Sequence, residues 1–323
     1  MDNVGIVTYS IVVPVYNEED ILMEFYNRVT SALNSVKERY EIVFINDGSV
    51  DGSLAILKAF HAKDPNVKVV NFSRNFGHQL AITAGMDYST GNAVIVMDSD
   101  LQDPPEVIIS LIEKWKEGYD VVYAIREARK GETVFKKLTA TFFYRLIVKI
   151  TNVNIQADVG DFRLIDKKVI DALRTIRERH RFIRGLVSWV GFKQTGITYV
   201  RNERFAGETK YPFKKMLKFA IDGITSFSFL PLQLAMYAGV VISLLSFVCG
   251  LYILCLRIIT GQFIPGIAGI LVSVLFLGGI QLLFLGLIGE YVGRMYDEIK
   301  QRPLYIVQEF LGFNQKDNNE ISC

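Results

Sequence analysis

Residues 232–256 and 263–289 of this 323-residue chain contain no Asp, Glu, Lys or Arg. Each run exceeds the roughly 20 residues that an α-helix needs to cross a bilayer at about 1.5 Å per residue. No other feature restricts the fold as strongly, because two such helices need lipid or a large protein interior to cover them. The connection, residues 257–262, is too short for anything but a hairpin. It carries Arg257, against Lys210, Lys214, Lys215 and Lys218 before the pair and Arg294, Lys300 and Arg302 after it. Basic residues are retained on the cytoplasmic side, so both ends of a two-helix transmembrane hairpin, and both termini, are expected in the cytoplasm. The expected location is the inner or plasma membrane of the cell, with the chain multi-pass.

Charge outside the hairpin is unevenly spread. The net charge is +2, yet basic residues cluster between Lys130 and Lys218, which beside two apolar helices fits a membrane surface and not a nucleic acid. Cys249 and Cys255 lie inside the first apolar run and Cys323 is the last residue, so no disulfide framework is expected and a reducing compartment fits. Residues 1–9 have neither the basic nor the apolar part of a signal peptide, and the N-terminal region is expected to remain cytoplasmic.

Ahead of the hairpin, short β-branched runs at residues 11–13, 42–45, 67–70, 94–97 and 121–123 alternate with amphipathic stretches. Ile21, Leu22, Phe25, Tyr26, Val29, Leu33 and Val36 recur at helical spacing, and residues 53–60, 79–88 and 105–115 supply the other crossovers. The pattern predicts an α/β fold, a parallel sheet with helices on both faces. Ligands of such sheets bind beyond the carboxyl ends of the strands. Residues near 134–150 and 211–228 combine apolar residues at a helical period with lysines on other faces, and predict interfacial amphipathic helices. The domain expectation is a catalytic domain over residues 1–229, a hairpin over 230–290 and a cytoplasmic tail over 291–323.

Strand ends carry the chemistry. Asp98-Ser99-Asp100 follows the fourth run, and two carboxylates one residue apart at a turn suit a hard cation, Mg2+ or Mn2+, shared with substrate phosphates. Asp103, before Pro104, reads as a helix cap. Tyr16 and Glu18 follow the first run and Asp47 the second, so that an aromatic ring and a carboxylate at adjacent strand ends could stack on and hydrogen-bond to a nucleobase, with Ser53 capping the next helix. No dinucleotide or P-loop glycine motif follows any strand. Phosphate charge must then be met by metal and by basic side chains, for which Arg126, Arg204 and Lys210 are candidates. Gly207 would let the loop bearing Arg204 and Lys210 close.

The segments VPVYNEE, INDGSVDGS, NFSRNFGHQLAITAGMDYSTG, VMDSDLQDPPE, DVGDFRLID and ERFAGETKYPFKKM occur in this order. Together they resemble the inverting GT-A glycosyltransferases that load a sugar onto a polyprenyl phosphate, among them dolichyl-phosphate mannose synthases and bactoprenol glucosyltransferases. The resemblance implies a GT-A, Rossmann-like nucleotide-sugar domain. It implies that Pro14, Tyr16, Glu18 and Asp47 hold the nucleoside, and that Asp98, Ser99, Asp100 and Gln102 surround the diphosphate, with Asp98, Asp100 and Gln102 on the metal. It makes Asp161 the catalytic carboxylate, with Arg163 beside it on the phosphate.

Asp161 could act as general base. A phosphate monoester is already largely a dianion at neutral pH, its second pKa being about 6, so orienting the acceptor or stabilising charge on the sugar ring are equal candidates. The implied donor is UDP-glucose, with GDP-mannose, UDP-GlcNAc or UDP-aminoarabinose as alternatives, and the implied acceptor is undecaprenyl phosphate. Processive polysaccharide synthases usually carry Gln-x-x-Arg-Trp, whereas residues 184–189 offer Arg184 and Trp189 without the glutamine. An inactive membrane scaffold is the non-enzyme alternative, and the retained acids argue against it. Gly278, Gly279, Gly286, Gly289 and Gly293 would allow close helix packing and predict a homo-oligomer. His78 and Arg74 receive no role.

Overall fold

The computed structural model describes residues 7–126, 159–200, 230–260 and 266–313. The expected interfacial helices at 134–150 and 211–228, and the candidates Arg204 and Lys210, lie outside the described residues. Two compact units emerge: residues 1–216 with 302–323, and residues 217–301.

The first unit contains strands β1 (Tyr9–Val15), β2 (Tyr40–Asn46), β3 (Val67–Phe72), β4 (Ala93–Val96), β5 (Val121–Arg126), β6 (Val159–Asp166), β7 (Gln194–Tyr199) and β8 (Val307–Leu311). Its helices are α1 (Leu22–Val36), α2 (Ser53–Lys63), α3 (His78–Tyr88), α4 (Val107–Lys116), α5 (Lys167–Thr175) and α6 (Ile183–Trp189). The strands form one mixed sheet in the order β7-β5-β6-β4-β1-β2-β3-β8. The five strands expected from apolar patterning all form and share one direction, and β7 joins them beside β5. Strands β6 and β8 run antiparallel, which corrects the expectation of a wholly parallel sheet. Asp161 and Arg163 interrupt the apolar run of β6 and hide it from a search for buried strands.

Every residue of β1 is buried, as befits a central strand covered on both faces. Pro14 is tolerated there because pairing with β4 stops at Val12, so its missing N–H breaks no ladder bond. On one face Phe25, Val29 and Leu33 of α1, Leu57 and Phe60 of α2 and Ile108, Leu111 and Ile112 of α4 pack over the sheet. On the other lies α3, so close that a Cβ on Gly85 would fall 2.0 Å from Val12 Cγ1. That approach requires glycine.

Residues after the long helices, expected as a tail, return to the sheet. Strand β8 pairs with β3 (Val70 with Phe310), and Tyr305 stacks on Phe72 with ring centroids 5.1 Å apart. The buried Tyr305 hydroxyl donates to Asp87 Oδ2 at 2.8 Å, and Arg177 donates to the same oxygen at 2.8 Å. Tyr305→Ala is expected to destabilise the unit by about 3–5 kcal/mol, as for other large aromatic truncations, and Tyr305→Phe by about 1 kcal/mol. Thermal unfolding of the full chain in detergent checks both, and equal midpoints for Tyr305→Ala and the unchanged protein would refute the anchoring role.

The second unit holds two long helices, α7 (Leu230–Thr260) and α8 (Ile267–Ile299). Among the described residues one segment, Phe276–Ile299, is long and apolar enough to cross a membrane, and a shorter apolar stretch, Ala235–Val248, lies in α7. Helix α8 does not stop at residue 289 but continues through Glu290 and Arg294, which pair at 3.1 Å.

Candidate functional site at the carboxyl edge of the sheet

Strands β1, β2, β4 and β5 all end on one edge of the sheet, and the antiparallel β6 begins there. The register pairs Val96 of β4 with Arg163 of β6, so continuing it by two positions sets Asp98 opposite Asp161. Two acids 63 positions apart thus meet because one strand runs backwards.

Asp161 is 5 % exposed and is gripped from two sides. Arg184, the second residue of α6, donates from Nε to Oδ1 at 2.8 Å and from Nη2 to Oδ2 at 3.2 Å. His78, the first residue of α3, lies with Nε2 at 3.3 Å from Asp161 Oδ2 and 3.5 Å from Asp98 Oδ1. Burial alone would raise the Asp161 carboxyl, but Arg184 and His78 outweigh it and hold it well below the usual carboxylate range. Burial likewise would lower the His78 imidazole, yet Asp98 and Asp161 raise it to about 9.

Asp98 shows the opposite balance. Burial, eased by His78 and reinforced by Asp161, Asp100 and Asp103, pushes its carboxyl up to about 6. Its Oδ1 is sealed from solvent and accepts no hydrogen bond. Asp100 Oδ1 accepts the Gln102 amide at 3.1 Å, closing a turn in which Leu101 takes a left-handed φ of 55°. Ser99 is buried, its hydroxyl 3.5 Å from the Pro14 carbonyl. A buried, unsatisfied carboxylate oxygen among crowded acids fits a divalent cation. Among the described residues no group of three or more His, Cys, Asp or Glu could hold an ion alone, so substrate oxygens would have to complete the shell.

The loops after β1 and β2 latch together. Asn17, at φ 54°, accepts the Val50 amide at 2.9 Å, and the Asn17 and Glu18 amides donate to Ser49 and Ser53 hydroxyls at 3.0 Å. Ser53 thus joins the loops and does not cap α2; Asp51 Oδ1 accepts the Ser53 amide instead, at 3.0 Å. Tyr16 stands 41 % exposed beside this latch. Asp47 is buried and accepts the amides of Phe76 at 2.7 Å and Gly77 at 3.0 Å, with burial pushing its carboxyl up against their pull. Gly48, at φ 68°, lies where a Cβ would come 2.4 Å from the Arg74 backbone. Arg74 itself lies over the Phe76 ring, 4.2 Å from its centroid.

Two expectations need correction. Arg163, read as a phosphate ligand, is 4 % exposed and donates to Gly160 O at 2.8 Å, with burial lowering its guanidinium to about 10. It lies on the same strand face as Asp161, two positions further into β6. Asp103, read as a cap, is a buried acceptor of the Tyr199 hydroxyl and of Arg126 Nη2 at 3.4 Å. Arg126 also donates from Nε to Tyr199 Oη at 3.2 Å, so it stands at the edge of the site, already braced. His78 and Arg184 are the residues that sequence reasoning missed. His78 follows Gly77, five positions beyond the end of β3, and carries only that much signal; Arg184 carries none beyond its charge.

The pattern of glycosyl transferase family 2 matches residues 10–174. An uncharacterized glycosyltransferase, YkcC of Bacillus subtilis, is 57 % identical over 310 residues, 96 % of each chain. The prophage bactoprenol glucosyl transferase homolog of Escherichia coli is 46 % identical over 93 % of this chain and 98 % of its own. Bactoprenol glucosyl transferase of Shigella phage SfII is 44 % identical over 93 % and 97 %. Among solved structures, glucosyl-3-phosphoglycerate synthase of Mycobacterium tuberculosis with Mn2+, UDP and phosphoglyceric acid covers 67 % of this chain and 75 % of its own, at 14 % identity and a TM-score of 0.48. With the family pattern spanning half the sequence and relatives aligned almost end to end, the chain belongs to glycosyl transferase family 2.

Proposed function

We propose that this glycosyltransferase moves glucose from UDP-glucose to undecaprenyl phosphate, with inversion, at the cytoplasmic face of the membrane. The observation that carries the reading is the meeting of Asp98 and Asp161 across β4 and β6, in a chain 44–46 % identical to proteins named bactoprenol glucosyl transferases. Tyr16, Glu18, Pro14 and Asp47 line the nucleoside side, and Asp98, Ser99, Asp100 and Gln102 the diphosphate side. Mg2+ or Mn2+ held by Asp98, Asp100 and Gln102 would neutralise charge on the departing diphosphate. Arg126, Arg204 and Lys210 would supply the positive charge that the phosphates need.

An oxygen of the acceptor phosphate forms the new bond to the anomeric carbon as the bond to the nucleoside diphosphate breaks, the electron pair leaving with UDP. Asp161 works here as a fixed anion that orients the acceptor and stabilises positive charge on the sugar ring; its low basicity argues against proton abstraction. Helices α7 and α8 form the two-span hairpin, and their exposed apolar side chains, Leu245, Phe247, Ile258 and Leu282 among them, support lipid as the covering phase. Gly278, Gly279, Gly286, Gly289 and Gly293 face open space, which suits a homo-oligomer packed through that helix.

The test uses the full chain in lipid vesicles containing undecaprenyl phosphate, offered radiolabelled UDP-glucose, GDP-mannose or UDP-GlcNAc in turn, with organic extraction. Labelled lipid is expected from UDP-glucose. Label from another donor alone would replace the sugar, and no labelled lipid from any donor would overturn the reading.

A further inference from the structure

We propose that Arg184 is a positioning residue for Asp161, fixing the plane and charge of its carboxylate so that the acceptor phosphate meets a rigid anion. The inference rests on Asp161 serving transfer, as argued above. A surface ion pair contacts its partner at one point and rotates; this one does not. Nε and Nη2 of Arg184 take one carboxylate oxygen each, at 2.8 and 3.2 Å, and Nη1 donates to Val159 O at 3.1 Å on the same strand. The guanidinium is planar, so two parallel bonds to Asp161 and a third to the β6 backbone leave the carboxylate no rotation of its own.

The grip is itself anchored. The Ile183 amide, next to Arg184, donates to Gln79 Oε1 at 2.9 Å, and Gln79 follows His78. The starts of α3 and α6 are thereby tied to each other, and both hold Asp161. Arg163 lies two positions further along the same strand face and is attracted to Asp161. The dianionic acceptor supplies the electron pair for the new C–O bond, and the pair of the broken bond departs with the nucleoside diphosphate.

Lysine at 184 would keep the charge but could not span both oxygens, which separates positioning from simple charge balance. The experiment compares Arg184→Ala and Arg184→Lys in the full chain in lipid, by formation of labelled polyprenyl lipid at saturating substrates, with UDP binding measured on the same preparations. Both variants are expected to bind UDP as the unchanged protein does. Turnover of Arg184→Ala should fall roughly 10²-fold, the size of effect that a misplaced reacting group produces. Added guanidinium ion should restore part of it, while added ammonium should not, and Arg184→Lys should stay well below the unchanged protein. Full turnover in Arg184→Lys, or a loss in Arg184→Ala that guanidinium does not relieve, overturns the proposal. Asp161→Asn separates the two levels of the argument: if it is inactive while Arg184→Lys is fully active, only the positioning role fails; if it transfers sugar normally, the role of Asp161 fails with it.

Discussion

Asparagine at both Asp98 and Asp100 is expected to abolish sugar transfer while leaving the turn folded. Asp100 shapes the turn through Oδ1, which accepts the Gln102 amide, and the amide oxygen of asparagine can accept the same bond. What disappears is negative charge at a place where Asp98 Oδ1 has no hydrogen-bond donor. Charge stabilisation by a bound divalent cation is worth several kcal/mol, and at about 1.4 kcal/mol per factor of ten the loss should reach roughly 10³-fold. The measurement is the rate of labelled-lipid formation against Mg2+ and Mn2+ concentration. Transfer by the unchanged protein that survives a chelator would remove the metal from the reading, whatever the variant does.

The second large effect belongs to Asp161→Asn. The substitution preserves shape but presents a neutral amide to Arg184 and His78, leaving their donors against a group that cannot balance their charge. Turnover should fall roughly 10²–10³-fold, comparable to removal of one group aimed at developing charge, with UDP binding retained. The pH profile discriminates between roles. Because Arg184 and His78 hold the Asp161 carboxyl well below its usual range, it stays ionised across the neutral region. The acid limb of the unchanged protein should then come from groups other than Asp161, rising as pH passes about 6, where the acceptor phosphate loses its second proton and the Asp98 carboxyl ionises. Asp161→Asn should keep that limb at lower amplitude. A limb that vanishes in the variant would identify Asp161 as the titrating group and restore the general base.

The sheet and the acids at its carboxyl edge were legible because buried β-branched runs announce parallel strands and the acids follow them directly. The edge at Asp98 and Asp100 needed only the rule that ligands gather where such strands end. Strand β6 was not legible as a strand, because Asp161 and Arg163 break its apolar run, and so nothing in the pattern set Asp161 opposite Asp98. The same alternation puts both residues on one face, with Arg163 two positions further into β6 and hydrogen-bonded to the Gly160 carbonyl. Asp103 misled because Asp-Pro-Pro resembles a cap, while its partner Tyr199 lies 96 positions away. Arg184 and His78 lie 23 and 83 positions from Asp161, and local spacing carries no trace of either contact.

Strand β8 has a consequence for how the chain is made. More than a hundred residues of synthesis separate Tyr199, the end of β7, from Val307, where β8 begins, and both long helices are made in between. At about 5–20 residues per second, the ribosome spends on the order of 5–20 s on that stretch. During it β3 has an unpaired edge, and Phe72 and Tyr88 lack the cover of Tyr305 and Phe310. Synthesis of the long helices and closure of the sheet are thus ordered in time, and a nascent chain stalled between them offers an open strand and an aromatic ledge to chaperones, proteases or its own copies.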